Sequence, residues 1–437
     1  MRRGALFTTI ISFLLVLSSY GFLYAETYSL DKCIETALKN NYGVVAAKNG
    51  YDAARGDVYT AWGALFPIIS ISSQASQNWS GYPYTEPGTG RQISGVLKTN
   101  SYSGALSFGQ SYRGLGLYNY SYIRKKYHDK GSSLNGYMGA RSSLVYNVKQ
   151  NFYSLLKAKM LLDVSQDAVK RGEERLRVVQ SRFDLGSASM SDVLKAKVQY
   201  GSDRLDLVSK TNAFKLAKAN LAYMMGIDVN REFEVDEQLP ERTVDISFGE
   251  GLNEAYSKNP DYRKARFNLY SAQDQKVLAY SNFLPSLSVG LTHSTSVDTL
   301  SNLTRFSRSD ANYRIYASLN FNIFNGISDY AALRAARKNV ETVQQALKDT
   351  ENKVALDLKQ SFLDIEQSEE TKKLADESVA AAQEDLNLVK EKYNLGAATI
   401  LEVLDAEVSL KQAQTNKVQA IFDYNLAISK LESVLGR

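Results

Sequence analysis

Proline is absent from two long tracts of this chain, and that absence limits the fold more than any other feature of the sequence. The six prolines lie at positions 67, 83, 87, 240, 260 and 285, so residues 88–239 and 286–437 contain none. An interior proline costs an α-helix about 3 kcal/mol. Both tracts are therefore free to form very long helices.

The segment between Gly326 and Leu395 shows the clearest helical pattern. Apolar residues recur there with spacings of three and four, as at Val354, Leu358 and Phe362, and Lys, Glu, Asp and Gln lie between them. This pattern predicts one continuous helix of the coiled-coil type. At 1.5 Å per residue, roughly 65 residues of helix reach about 100 Å. No compact domain needs that length, so we interpret the apolar stripe as the packing surface of a long stalk.

The two proline-free tracts belong to an internal repeat. Residues 37–41 match residues 255–259, and the Arg-Phe-Asp-Leu-Gly-Ser-Ala segment at 182–188 matches Lys-Tyr-Asn-Leu-Gly-Ala-Ala at 392–398. Matching segments at corresponding places indicate that one structural unit is duplicated in the chain. Each copy is predicted to contain a helix, two strands, a long helix, a tight turn and a further helix.

The repeat divides the chain into a first copy at residues 26–226, a polar connector at 227–246 and a second copy at 247–437. Residues 1–25 precede the first copy. Two arginines stand there before an apolar stretch, and Ala25 closes it, which is the plan of a secretory signal peptide. A membrane anchor is the alternative. Cys33 follows charged residues, so we expect a buried thiol on the first helix rather than a lipidation site.

Each repeat also contains two segments in which polar and apolar residues alternate. Alternation with a period of two predicts strands with one apolar and one polar face. The strands are expected at about 66–82 and 98–113 in the first copy, and at about 284–297 and 312–324 in the second. A soluble β-sandwich would show the same alternation, but the strand length and the aromatic residues near the strand ends favour a membrane barrel.

The predicted faces of these strands have opposite character. Polar residues expected to line a lumen are Ser103, Ser107, Ser111, Ser286, Ser288, Asn320 and Asn322. Apolar residues expected to face lipid are Leu106, Phe108, Val289, Leu291, Leu319 and Phe321. Four strands cannot close a barrel, and open strand edges are not tolerated in hydrocarbon. Several chains must therefore contribute strands, with two chains giving eight strands and three giving twelve.

Composition and motifs argue against catalysis. The chain has one cysteine and two distant histidines, and its formal charge of +5 is small for 437 residues. It contains no GxxxxGK[ST] phosphate loop, HExxH zinc motif or GxSxG nucleophile elbow. The glycine-rich segment 86–90 lies between two predicted strands and is interpreted as a hairpin loop. We therefore expect no enzymatic activity, no cofactor, no bound metal and no nucleic-acid partner.

The chain resembles the TolC-like outer-membrane efflux protein family. The resemblance rests on the duplicated plan, on the strand entries at 65–72 and 283–288, and on the paired Leu-Gly turns at 185–186 and 395–396. It implies a mainly α fold with transmembrane β-structure. Three chains would form a twelve-stranded barrel, four strands per chain, continuous with an α-helical coiled-coil tunnel in the periplasm.

The resemblance also implies a function and partners. The chain would be a passive exit duct in the outer membrane of a Gram-negative-type cell, in contact with outer-membrane lipid. It would serve a tripartite efflux pump or a type I secretion system, and it would open on docking with a periplasmic adaptor and an inner-membrane transporter. A passive porin or a structural envelope protein is the alternative, and a secreted coiled-coil adhesin is a more distant one. The cargo stays open.

Two candidate sites follow from the resemblance. The adaptor-docking tip would consist of Leu185, Gly186, Ser187, Ala188 and Ser189 in the first copy and of Leu395, Gly396, Ala397, Ala398 and Thr399 in the second. The periplasmic entrance would consist of Glu402, Asp405, Tyr393 and Asp192. Glu402 and Asp405 are three residues apart and share one helix face, so three copies would present six carboxylates. Ala398 departs from the family pattern, in which an arginine ties neighbouring helices together.

Overall fold

The computed structural model describes residues 27–236, 245–300 and 311–437. The predicted signal peptide at 1–25 and the central part of the predicted connector, 237–244, lie outside the described residues. The described residues are mostly helical. The helices are α1 (Leu30–Asn40), α2 (Tyr42–Gly63), α3 (Leu117–Asp184), α4 (Met190–Met225), α5 (Phe248–Lys258), α6 (Pro260–Ser281), α7 (Ser328–Asn394) and α8 (Ile400–Leu435).

The two longest helices fall within the proline-free tracts. Helix α3 has 68 residues and α7 has 67, so each is about 100 Å long. Helix α7 begins and ends within two residues of the bounds that the apolar spacing predicts. In the part of the chain that the structure describes, no helix is both long enough and apolar enough to cross a membrane.

The strands form two sheets. They are β1 (Thr27–Tyr28), β2 (Ile68–Thr85), β3 (Gln92–Tyr112), β4 (Glu234–Val235), β5 (Ser286–Val297) and β6 (Ala311–Asn320). Strands β1 and β4 pair in parallel, and the other four form an antiparallel sheet in the order β2-β3-β5-β6. Strands β2 and β6 therefore lie at the two edges of the described sheet.

The strand bounds differ from the predicted ones by three or more residues at two places. The hairpin of β2 and β3 is longer, because pairing continues to Thr85 and Gln92 beyond the segment in which polarity alternates. Backbone hydrogen bonds form the ladder whatever the side chains are. Strand β6 is shorter than predicted. Its last residue, Asn320, pairs with Ser286, where β5 begins, so Phe321 and Asn322 lie outside the strand.

The register gives the sheet one apolar and one polar face. Residues directly opposite each other in an antiparallel pair lie on the same face. Phe108 pairs with Leu291, which pairs with Ile315. On the other face Ser111 pairs with Ser288, which pairs with Ser318. Within the strands, the polar and apolar residues predicted from the alternation therefore lie on separate faces.

Glycines on the polar face of the sheet make room for tyrosine rings. A Cβ at Gly290 would lie 2.6 Å from the ring of Tyr316, and one at Gly95 would lie 2.7 Å from the ring of Tyr82. Each tyrosine is the direct cross-strand partner of its glycine. Each tyrosine ring therefore lies over the backbone of its glycine. A larger residue at either glycine would displace the ring.

The chain divides into two compact units that cut across the repeats. One unit contains the described residues up to Ala47 and those of 138–259 and 353–437; the other contains those of 48–137 and 260–352. Each unit thus takes segments from both sequence copies. The second unit contains the four-stranded sheet, and the first contains the paired turns between the long helices.

In the first unit, the repeats produce the same helix joint twice. Asn41 Nδ2 donates to the carbonyl oxygen of Met224 at 3.3 Å, and Asn259 Nδ2 donates to that of Val434 at 3.0 Å. Gly226 follows α4 with a φ of 68°, and a Cβ there would lie 2.9 Å from the carbonyl oxygen of Asn40. The short helices α1 and α5 are thereby held against the ends of α4 and α8.

Cys33 is fully buried in α1, as expected from the sequence. Burial raises the pKa of its thiol to about 12. A thiol with so high a pKa carries almost no thiolate at neutral pH and is unreactive.

Candidate functional site

The predicted tip consists of two turns with the same backbone geometry. After α3, Gly186 has a φ of 76°, its N–H donates to the carbonyl oxygen of Phe183, and the N–H of Ser187 donates to that of Arg182, both at 2.8 Å. After α7, Gly396 has the same φ and makes the corresponding hydrogen bonds. These bonds define the Schellman motif, in which a left-handed residue ends a helix. Glycine is required because it adopts positive φ without strain.

A capping box begins the helix after each turn. Asp192 Oδ2 accepts from the backbone N–H of Ser189 at 3.1 Å and from its hydroxyl at 2.7 Å. Glu402 Oε1 accepts the same two hydrogen bonds from Thr399, at 3.3 Å and 2.9 Å. The Ser189 hydroxyl and backbone bonds hold the pKa of Asp192 below its ordinary value. Two acids predicted for the entrance therefore have the same structural role at the start of α4 and α8.

The tip residues project in matching ways. The side chains of Leu185 and Leu395 are 83% and 84% exposed, although leucine is normally buried. In both turns the fourth residue is half-buried and the others are exposed; the residues are Leu185, Gly186, Ser187, Ala188 and Ser189, and Leu395, Gly396, Ala397, Ala398 and Thr399. Each turn thus exposes several small residues and one leucine side chain.

Helices α3 and α4 form a first helical hairpin, and α7 and α8 form a second. An apolar cluster joins the two hairpins next to these turns. Its buried members come from α3, α4 and α8: Val179, Val193, Ala196, Ile400 and Val403. Phe183, Val389 and Tyr393 pack against it. Asp192 and Glu402 each directly precede a buried member of this cluster, Val193 and Val403, and Tyr393 packs against the same cluster. Asp405 is exposed and, among the described residues, its carboxylate makes no ion pair.

Arg182 ties the first hairpin to the second, a contact that the sequence did not predict. Its guanidinium carbon lies 4.3 Å from the ring centroid of Tyr393. Its Nη1 donates to the carbonyl oxygen of Tyr393, and its Nη2 donates to Asn394 Oδ1, both at 3.2 Å. Arginine can make all three contacts because its guanidinium is planar and carries several donors. Arg182 therefore connects α3 to the end of α7.

Further along the same helices, ion pairs are buried between the hairpins. Arg175 of α3 contacts Glu407 of α8, and their side chains are only 6% and 11% exposed. Lys411 of α8 pairs with Asp203 at 3.3 Å and with Asp206 at 2.8 Å, both in α4. Burial alone would raise the pKa of Asp206, but the hydrogen bond and charge of Lys411 lower it below its ordinary value. The stalk thus contains a charged network that no motif in the sequence indicates.

Within the described residues, no group of three or more His, Cys, Asp or Glu could hold a metal ion. The site geometry is that of rigid turns, a cation–π contact and buried ion pairs. These contacts hold the helices of the first unit together.

Comparison with known proteins identifies the family. The family model described as "Outer membrane efflux protein" matches residues 33–227 and 251–437, most of the chain. The chain belongs to the outer membrane efflux protein family. The two matched segments coincide closely with the two sequence copies. The resemblance inferred from the sequence is confirmed.

Curated relatives support the same assignment. The outer membrane protein TolC of Escherichia coli K12 is 23% identical over 445 residues, covering 98% of this chain and 86% of its own. The pyoverdine export outer membrane protein OpmQ of Pseudomonas aeruginosa is 24% identical over 420 residues, covering 93% and 83%.

Solved structures share the fold. The CusC structure superposes with a TM-score of 0.83 at 18% identity and covers 94% of this chain and 93% of its own. The Campylobacter jejuni CmeC outer membrane channel gives 0.82 at 18% identity, covering 93% and 85%. The chain is an outer-membrane exit duct for efflux, as predicted, and its localisation is the outer membrane.

Proposed function

We propose that three copies of this chain form a twelve-stranded barrel in the outer membrane, continuous with a periplasmic tunnel of long helices. The observation that carries the proposal is the four-stranded sheet whose edges are β2 and β6 and whose two faces differ in polarity. A sheet with an apolar outer face and unpaired edges is stable in lipid only when the edges meet. Three copies supply twelve strands, and the apolar face would contact lipid.

Disulfide trapping tests the edge pairing. Cysteine at Ser318 of β6 is combined with cysteine at Ser70, Ser72 or Gln74 of β2, in a Cys33→Ser background. Because the bond requires Cα atoms about 4.4–6.8 Å apart, one or two of these pairs should give covalent dimers and trimers on a denaturing gel. Cysteine at Ile71, on the opposite face, is the matched control. Absence of oligomers with every polar-face pair would contradict the barrel.

The tunnel would receive cargo from a periplasmic adaptor protein and an inner-membrane transporter, as in a tripartite pump or a type I secretion system. The paired turns support this part of the proposal, because small exposed residues allow a partner helix to approach the backbone closely. Tryptophan at Ser187 and at Ala397 should block export while trimers stay intact in detergent. Tryptophan at the exposed Lys373 of α7 is the control. Normal export with both tip variants would remove the turns from the docking site.

We propose further that Glu402 and Asp405 line the periplasmic entrance, with Tyr393 and Asp192 among the contacts that close it. Three copies would place six carboxylates around one opening, which would attract cations and repel one another. The test must preserve the capping box, so glutamine replaces Glu402, because glutamine can fill the same cap.

Planar-bilayer recording of Glu402→Gln with Asp405→Asn should show weaker cation preference and weaker block by multivalent cations. The matched control removes two other exposed acids of the second hairpin, with Glu384→Gln and Asp385→Asn. If selectivity and block stay the same in the first double variant, or change equally in the control, the acids do not form the entrance ring.

We propose that the first 25 residues are a cleaved export signal. The rest of the chain then consists of two copies of one unit, joined by the connector. Amino-terminal sequencing of protein purified from outer membranes should begin close to Glu26. A start at Met1 would make the segment an anchor instead.

A further inference from the structure

A cavity of about 380 Å³ lies between α3, α7 and the first turns of α8 in the first unit. Its apolar wall includes Val178, Ile400 and Val403, and Tyr393 closes one side. The volume lies within the range of small-molecule sites, which are mostly apolar with a few placed polar groups. The cavity is separate from the exposed tip residues and from Asp405.

Cations outnumber available carboxylates around this cavity. Lys170, Arg171, Arg175 and Lys390 line it, with Glu174 and Glu407 as the only acidic lining residues among those described. Glu174 already accepts two hydrogen bonds from the outward-facing Arg177, at 3.0 Å and 2.6 Å. Glu407 is therefore the acid left to face the cavity.

The single carboxylate of Glu407 is shared between two cations. It contacts Arg175 directly and lies 3.8 Å from Lys390 Nζ. In the part of the chain that the structure describes, Arg171 makes no ion pair. The cavity thus carries an excess of positive charge in a site partly shielded from water.

The Arg175 guanidinium supplies a second, independent observation. Its side chain is 6% exposed, and its Nε and Nη2 atoms are buried without a hydrogen-bond partner in the described structure. Buried donors on a charged group are costly when they are unpaired. In addition, burial and the nearby charges of Arg171 and Arg175 lower the pKa of Lys390. Bound negative charge would stabilise the charged form of Lys390 and offset the excess positive charge beside Arg175.

We propose that this cavity binds an organic anion, a carboxylate or phosphate group on a small apolar body, with the anionic group between Arg171 and Lys390 and the apolar body against Tyr393 and Val403. Arginine binds such groups through two parallel N–H donors. The ligand would bridge α3 to α7 and α8. This site does not depend on the trimeric barrel or on adaptor docking, and its test can fail without affecting either.

The experiment uses the full-length protein purified in a neutral detergent, with phenyl phosphate as the probe in isothermal titration calorimetry at low salt. We expect saturable binding at one site per chain, weakened by added salt because charge–charge attraction is screened. Phenol and inorganic phosphate are the comparison ligands. Each lacks one half of the proposed chemistry, so each should bind at least about tenfold more weakly.

Arg171→Gln and Lys390→Gln should each reduce the affinity for phenyl phosphate about tenfold or more, and the two changes together should abolish binding. Lys373→Gln removes an exposed cation of α7 away from the cavity and should leave the affinity unchanged. Both site residues are accessible to solvent, so folding should survive, and unchanged thermal unfolding of each variant checks that.

Three results would overturn the proposal. One is no saturable binding of phenyl phosphate, and another is equal binding by the wild type and the Arg171→Gln, Lys390→Gln double variant. The third is inorganic phosphate or phenol binding as tightly as phenyl phosphate, because an organic anion would then not be the preferred ligand.

Discussion

Removal of Glu407 should destabilise the joint between the helical hairpins. Glu407 is the carboxylate that contacts Arg175, and both side chains are almost fully buried. Alanine at 407 would leave the arginine charge buried, with Nε and Nη2 already lacking hydrogen-bond partners. Lys390, 3.8 Å from the carboxylate, would lose its nearest negative charge as well.

The magnitude follows from the cost of an isolated buried charge. Breaking a buried pair by removing one partner typically costs about 3–5 kcal/mol. At about 1.4 kcal/mol per factor of ten, local opening of this region should become on the order of 100- to 4,000-fold more frequent. Replacement of both partners by apolar residues of similar size, with Arg175→Met and Glu407→Leu, removes the charge problem. That double variant should be neutral or more stable by about 1–4 kcal/mol.

Amide hydrogen exchange followed by mass spectrometry measures this opening directly. In Glu407→Ala, peptides from 170–180 and 400–411 should lose protection by the stated factor, while peptides from 286–297 in the sheet should not change. The double variant should restore protection in both helical segments. Unchanged exchange in Glu407→Ala, or a double variant as unprotected as the single one, would refute the view that an uncompensated buried arginine sets the cost.

Three other changes have expected outcomes. Thr399→Ala removes a helix N-cap and should lower the free energy of unfolding by about 1 kcal/mol, measured by thermal unfolding; no change would mean that the cap contributes nothing. Hydrogen bonds from Arg437 and Lys258 lower the pKa of Glu254 to about 2. A depressed folded-state pKa stabilises the protein above the ordinary value of 4.5, so the stability difference between wild type and Arg437→Gln should shrink as the pH falls from about 4.5 to 2. Ile315→Arg on the apolar face should cost about 2–4 kcal/mol in the membrane and reduce trimer yield, whereas Ser318→Arg should be tolerated; equal yields would contradict the assigned faces.

The sequence predicts the elements of this fold well where a physical rule acts over many residues. Apolar spacing and the absence of proline predict the bounds of α7 to within two residues. Alternation assigns the residues of the inner strands to the correct faces of the sheet. The strand ends are less predictable, because they depend on which backbone has a partner. Phe321 continues the alternation of β6, yet β5 begins at Ser286 and has no earlier residue to pair with it. A pattern in one strand contains no information about where its neighbour begins.

The candidate site was predicted only in part, for a related reason. The turn glycines and the caps at Ser189 and Thr399 follow from local chemistry. The S/T-x-x-D/E spacing at 189–192 and 399–402 is also the local signal for the capping boxes that Asp192 and Glu402 complete. Arg182 over Tyr393 could not be found this way, since 211 positions separate the two residues.

The buried charges differ from the turns in how they relate to the repeat. The turns have equivalent residues at corresponding positions of both copies, so one copy predicts the other. Residues 182–188 match 392–398, an offset of 210 residues; at this offset Arg175 corresponds to Asp385 and Glu407 corresponds to Lys197, with both charges reversed. Asp385 and Lys197 are exposed, whereas Arg175 and Glu407 are buried. The repeat therefore preserves the backbone of each hairpin and much of the apolar cluster between them, in which Val193 corresponds to Val403, but it does not preserve the charges of the buried ion pair. Because Arg175 and Glu407 pair with each other and not with their repeat equivalents, their charges are free to diverge between the copies, and this ion pair must be read from the structure.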